Sequence, residues 1–372
     1  MEGQYKIRVI IFGIYKFECR IKMENSFHDN VELIGYMDNF YNEKTFNYRP
    51  VINIYTLKDI EYDYILINSV RTDSIEEIYK QLHYGGGVKR EKIIRWYYYS
   101  YFGNDSPIHR YQKFDKEIFD GFIFGMSHAV DGFLPHYFDK NIYRFCARGM
   151  DMFYHRSLVE YILKDNTNKR YFMFELPYYI FNYETFHNKF FKYRINYYKE
   201  IESIKNSNIN DENLYFLKEY EAFEKIFKSE IGDPQTSSEI PLTNRDSVVR
   251  LDLDERIHEE FWDVNSAAIS RNKIYFNEIV RMIYEYNRDS KIAVVVFPHN
   301  IMEVNKLGNK LTEVKQIFYD ILNSYHNEVE LFDFFYIYKE RPEFFKDWTH
   351  LNNKGAKEFT QMLNIEMNGR FY

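Results

Sequence analysis

Two stretches of the 372-residue chain, about 220 residues apart, hold side chains whose types and spacing suit acyl-transfer chemistry. The first is Phe124-Gly125-Met126-Ser127-His128-Ala129-Val130-Asp131-Gly132, an apolar run that ends at a glycine and is followed by a serine. A serine at a strand-to-helix turn lies at the carboxyl end of a parallel sheet, beside the unpaired N–H groups of a helix start. That placement suits a nucleophile, and it also suits a helix cap. The second stretch is Lys346-Asp347-Trp348-Thr349-His350-Leu351-Asn352-Asn353-Lys354-Gly355-Ala356. Asp347 and His350 are close enough on a loop or first helical turn for the carboxylate to accept the Nδ1 proton, which leaves the other ring nitrogen free as a base. The competing account has Asp347 capping the last helix and His350 merely polar. His128 is read as a substrate contact or a cap. His299 and Arg148, at expected strand ends, could meet an acceptor hydroxyl or carboxylate, as surface residues could.

The elements that must position these groups are legible as β-branched and aromatic runs. Phe119–Phe124, Asn141–Ala147, Arg170–Leu176 and Lys291–Phe297 read as buried parallel strands, and a helix with Ile279, Met282, Ile283 and Tyr286 on one face precedes the last of them. An earlier set, Lys6–Phe12, Glu32–Tyr36, Pro50–Ile52, Tyr62–Asn68 and Glu91–Ile94, alternates with helical segments such as Ser74–Leu82, which Gly85-Gly86-Gly87 stops. Strands alternating with helices imply crossover units, so the chain is expected to hold two α/β domains, 1–104 and 105–372. A linker is expected over about 101–118, and a charged helical insertion over about 183–272 in the second domain. The first domain tempts a dinucleotide reading through Gly13 and Asp38. The glycine fingerprint is absent, however, since Tyr15 and Glu18 stand where glycines would let a pyrophosphate approach.

Composition narrows the function classes. Lys plus Arg number 49 against 56 Asp plus Glu, a net charge of -7, so no general field draws the chain to nucleic acid. Two cysteines, Cys19 and Cys146, are too few for a disulfide framework or a thiolate zinc site. No cluster with metal-ligand spacing and no phosphate-cradling Gly-x-x-x-x-Gly-Lys occurs, so no metal is expected. No apolar run reaches the roughly 18 residues that span a bilayer, and no signal peptide is read at the start, so a cytoplasmic protein is expected. Aromatics make up 20% of residues and are spread through nearly every segment, which favours core and surface filler over a stacking platform.

Taken together, the strand-end Gly125-Met126-Ser127 with Gly132 and the Asp347-Trp348-Thr349-His350-Leu351 stretch resemble the first and last blocks of the SGNH or GDSL-like hydrolase superfamily, over residues 119–372. The resemblance implies a flavodoxin-like three-layer α/β/α fold. It also implies Ser127 as nucleophile, His350 as general base and Asp347 as its orienting partner. An oxyanion hole would use the N–H groups of Ser127 and Gly149. Two departures stand out: Met126 replaces the usual aspartate, and Glu175-Leu176-Pro177-Tyr178 stands where a Gly-x-Asn is expected. Residues 1–104 resemble the small Rossmann-like domains attached to bacterial glycan-modifying enzymes. The implied activity is acyl ester hydrolysis or O-acyl transfer, chiefly of acetyl, on a surface carbohydrate or its precursor. Hydrolysis needs no cofactor, and transfer would take an acyl donor such as acetyl-CoA. The rival expectation is a non-catalytic glycan or nucleotide-sugar binding protein with a decayed site.

Overall fold

The apolar run that begins the chain forms strand β1 (Ile7–Phe12), whose last four residues are buried, as expected of a strand covered on both faces. The computed structural model describes residues 5–14, 17–97, 99, 108, 111, 118–164, 169–184, 211–228 and 261–372. The expected linker lies almost wholly outside them. Within these residues the chain forms two compact units, each built on a parallel sheet flanked by helices.

In the first unit β1 is followed by α1 (Phe17–Asn25), β2 (Val31–Met37), β3 (Tyr64–Ile67), α2 (Thr72–Lys80) and β4 (Ile93–Ile94), with strand order β2-β1-β3-β4. Gly13, at φ 111°, ends β1, and a Cβ there would lie 2.7 Å from the Asn68 carbonyl oxygen. Asp38 accepts hydrogen bonds from the N–H groups of Ile14 and Phe40, each at 2.8 Å. The acid that tempted a dinucleotide reading therefore closes its own turn and ties it to the turn that follows β1.

The segment 183–272 departs from expectation. Its described helix, Asp211–Ile226, belongs to the first unit and not to the second. The anchor is Glu219, buried, which accepts from the Arg95 backbone N–H at 2.7 Å and from its guanidinium at 2.6 Å. Residues 185–210 and 229–260 of that segment lie outside the described residues.

The second unit runs β5 (Gly121–Gly125), α3 (Ser127–Gly132), β6 (Ile142–Cys146), α4 (Met152–Leu163), β7 (Tyr171–Glu175), α5 (Ser266–Tyr286), β8 (Lys291–Val296), α6 (Ile301–Leu307), α7 (Asn309–Asn323), β9 (Val329–Asp333) and α8 (Asn353–Arg370). The strand order is β9-β8-β7-β5-β6, with every neighbour parallel. The sheet is filled by aromatic rings stacked across strands: Phe124 lies 4.8 Å from Phe174 and 5.6 Å from Phe145, centroid to centroid. Ala356, Phe359, Leu363 and Met367, at helical spacing on α8, complete one face of this core with Phe297 and Phe332. Among the described residues no helix is long and apolar enough to cross a membrane.

Candidate functional site

Parallel pairing sets the carboxyl ends of β5, β7 and β8 side by side, and the side chains at or just beyond those ends form one cluster. At the end of β5 the chain turns sharply into α3. A Cβ on Gly125 would lie 2.6 Å from the Ala129 Cβ and 2.9 Å from the Glu175 side chain, so only glycine lets this turn close. Glu175, the last residue of β7, is fully buried and pins the turn. It accepts the Met126 N–H at 2.5 Å and the Nδ1–H of His128 at 3.2 Å. Ser127 opens α3 and is half-buried, whereas His128 to Gly132 are buried.

The second locus meets the first here, because α8 and its preceding loop pack against α3. Asp347 places both carboxylate oxygens 2.9 Å from His350 Nδ1, and its Oδ1 accepts the backbone N–H groups of Thr349 and His350. The cap of α8 is Asn352, which accepts the Gly355 N–H at 3.0 Å. Asp347 is thus the imidazole's partner and not the helix cap. Burial pushes its carboxyl up, but the His350 imidazole and the hydrogen bonds around it outweigh that and hold it well below the usual carboxylate range.

His128 joins the two loci. Its ring centroid lies 5.3 Å from that of His350, nearly stacked, and 4.8 Å from that of His299. His299, just beyond β8, is 1% exposed, stacks on Phe335 at 4.5 Å and has Nδ1 2.7 Å from the Glu303 carboxylate. Burial lowers its pKa to about 3, so the ring is neutral at ordinary pH. The three rings share one arrangement: each Nδ1 faces a carboxylate, and each Nε2 is buried with no hydrogen-bond partner. A carboxylate acceptor keeps a proton on Nδ1, so in the neutral ring of His299 Nε2 carries the lone pair.

The Ser127–His350 hydrogen bond expected of an activated serine is not formed, since His350 Nε2 has no partner. The structure brings the turn of Ser127 and the Asp347–His350 pair to one edge of the sheet and stops short of a closed triad. Gly149 is buried with φ 72°, a conformation that favours glycine whatever else it does, and its carbonyl accepts from the Tyr183 hydroxyl at 3.2 Å. Arg148, which the sequence leaves open as an acceptor contact, instead donates to Asp131 at 2.7 Å. Lys346 lies 2.9 Å from the same Asp131 oxygen. Burial pushes Asp131 up, but Arg148, His350 and Lys346 outweigh it and bring its pKa down to about 2. The last turn of α3 therefore clamps together the Gly149 loop and the Asp347 loop.

Glu175, Glu303, Asp131 and Lys346 were not foreseen as site residues. A signal existed for two of them: Glu175 ends an otherwise apolar strand run, and Glu303 follows His299 at helical i+4 spacing. Among the described residues no group of three or more His, Cys, Asp or Glu is arranged to hold a metal ion. Compared with known families and with curated proteins, the chain matches no family model and no curated sequence.

Proposed function

We propose that the chain is a serine-dependent acyl ester hydrolase or O-acyltransferase whose second unit is of the flavodoxin-like SGNH type and whose substrate is an acylated carbohydrate. The observation that carries this reading is the Asp347–His350 pair, with a buried, unpartnered Nε2, on the sheet edge where Ser127 opens α3. In the proposed reaction Nε2 takes the Ser127 proton as Oγ attacks the acyl carbonyl, and Asp347 stabilises the imidazolium. Oxyanion charge falls to the N–H groups of Ser127 and Gly149, donors worth roughly 3 kcal/mol each in comparable sites. The bond from the acyl carbon to the original alcohol or thiol then breaks, with His350 protonating the departing group, and the acyl-enzyme passes its acyl group to water or to a sugar hydroxyl, whose proton His350 takes and returns to Ser127 Oγ. Transfer draws on an acyl donor such as acetyl-CoA, and hydrolysis needs no cofactor. The Ser127–His350 hydrogen bond forms in the Michaelis complex, as catalytic hydrogen bonds often do.

Labelling with a fluorophosphonate tests the reading. Wild-type protein is expected to take up label at Ser127, S127A none, and H350A at a rate lower by at least a hundredfold. If wild type takes no label where a known serine esterase does, the reading fails. A second reading, a non-catalytic glycan or nucleotide-sugar binding protein, is favoured by the missing Ser127–His350 bond and by a buried carboxylate, Glu175, where an asparagine donor is expected. It predicts no label but saturable sugar binding.

A further inference from the structure

Ser127 and His350, the two ends of the proposed proton transfer, stand on separate elements, one at the start of α3 and the other in the loop before α8. The backbone of His350 is held by the Lys346 N–H, which donates to its carbonyl at 2.9 Å, and by its own N–H on Asp347. The ring is held along one edge. Its Nδ1 lies 2.9 Å from both Asp347 oxygens and 3.0 Å from the Thr349 hydroxyl, and no bond reaches Nε2. A ring bonded along one edge alone can swing about that edge and carry Nε2 with it. The ring stacked on it is His128, with centroids 5.3 Å apart and planes 26° apart.

His128 is itself anchored, its Nδ1 3.2 Å from the Glu175 carboxylate. The same carboxylate takes the Met126 N–H at 2.5 Å, one residue before Ser127. This differs from apolar filling in one respect: a directional bond fixes the place of the ring, and it runs to the group that fixes the turn of Ser127. His299, whose centroid lies 4.8 Å from that of His128 and which stacks on Phe335, packs against the same ring.

We infer that Glu175 and His128 are positioning residues that together brace the His350 ring against the turn of Ser127. Glu175 holds the turn through Met126, and through His128 it sets the plane in which the His350 ring lies. What the brace serves rests on the serine reading, in which Nε2 must face Ser127 Oγ when the proton moves. No bond or proton of that reaction passes through either residue. A misplacement of about 1 Å in such a step can cost about 10²-fold in rate.

Two readouts on His128→Asn test the brace, since that substitution keeps an N–H donor for Glu175 and removes the ring face. The first is the His350 Nδ1–H proton resonance, followed by NMR with isotope-labelled histidine in S127A, where no acyl-enzyme forms, and assigned by its loss in H350Q. Adding H128N is expected to make that proton exchange with water at least tenfold faster with the melting temperature held. The second is fluorophosphonate labelling with Ser127 intact, which H128N should slow by about 10²-fold. Glu175→Gln, which keeps the ring and removes the charge that anchors it, should change both readouts in the same direction, and it decides the matter should H128N fold poorly. The inference is overturned if either readout is unchanged in the folded variants, or if labelling falls only as far as the folded fraction does. If wild type takes no label, the serine reading fails, and the resonance in the S127A series alone decides whether the brace exists.

Discussion

Replacing Asp131 by asparagine removes the carboxylate that clamps the Gly149 loop to the Asp347 loop. A buried carboxyl held at about 2, below an ordinary value of 3.8, contributes about 2 kcal/mol to folding at neutral pH. Breaking a fully buried pair can cost roughly 3–5 kcal/mol, because the orphaned partner stays buried. Here the partners Arg148 and Lys346 keep 24% and 30% of their side chains exposed, so water takes them up and the smaller figure applies. For a unit of this size about 2 kcal/mol lowers the melting temperature by about 4–8 °C. The sign of the pH dependence follows from the depressed pKa. The contribution is complete above about pH 4, falls to about 1 kcal/mol at pH 3, and is lost as pH drops through about 2. Calorimetric melts of wild type and D131N at pH 7, 5 and 3 should show the gap narrowing by about half at the lowest pH. Equal melting temperatures at pH 7, or a gap unchanged at pH 3, would refute the clamp.

His155 is fully buried with neither ring nitrogen bonded, and burial lowers its pKa to about 3. Because the unfolded ring titrates near 6.5, the native state loses roughly 1.4 kcal/mol per pH unit as pH falls below that value, about 2 kcal/mol by pH 5. H155F should remove that loss in urea titrations at pH 7 and 5; an unchanged acid sensitivity would disprove it. D347N leaves His350 without the carboxylate that fixes its tautomer, and should slow fluorophosphonate labelling by about 10³–10⁴-fold. A labelling rate within tenfold of wild type would take Asp347 out of the mechanism. G125A drives a methyl group against Ala129 and Glu175 at the Ser127 turn, which should cost about 1–3 kcal/mol in chemical denaturation and reduce labelling together with stability. A stable, fully labelled G125A would show that the turn tolerates the extra carbon.

The strands of both sheets were legible because burial on two faces leaves continuous apolar runs, as in Ile7–Phe12 and Lys291–Val296. β9 was not, because it lies at the edge and buries only Val329 and Phe332 among exposed and half-buried residues, Glu330 included. The destination of the Asp211–Ile226 helix depends on a pair, Arg95 and Glu219, separated by 124 residues, and nothing local announces such a partner. The same distinction divides the site. Asp347 with His350 is readable because three residues suffice to bring a carboxylate to an imidazole. Glu175 with His128, and Asp131 with Lys346, are contacts between elements that only the sheet brings together.

What the residues alone do not carry is the strand order. The register pairs Phe124 with Phe174 and Glu175 with Val295, so the first residues past β5 and β8 converge on the last residue of β7. A different order of the same five strands would leave His128, His299 and Glu175 each at a strand end, as the sequence says, yet far apart and chemically unrelated. His128 and His299 are neighbours because β7 lies between β5 and β8, and His350 joins them through the packing of α8 against α3. Glu175 at the end of that middle strand meets the need of the first turn of α3 for an acceptor and orients His128 in the same step. A fold that needed only a capped turn would be served by one backbone bond to Glu175. The second, to His128 Nδ1, fixes the orientation of that ring against the imidazoles of His299 and His350.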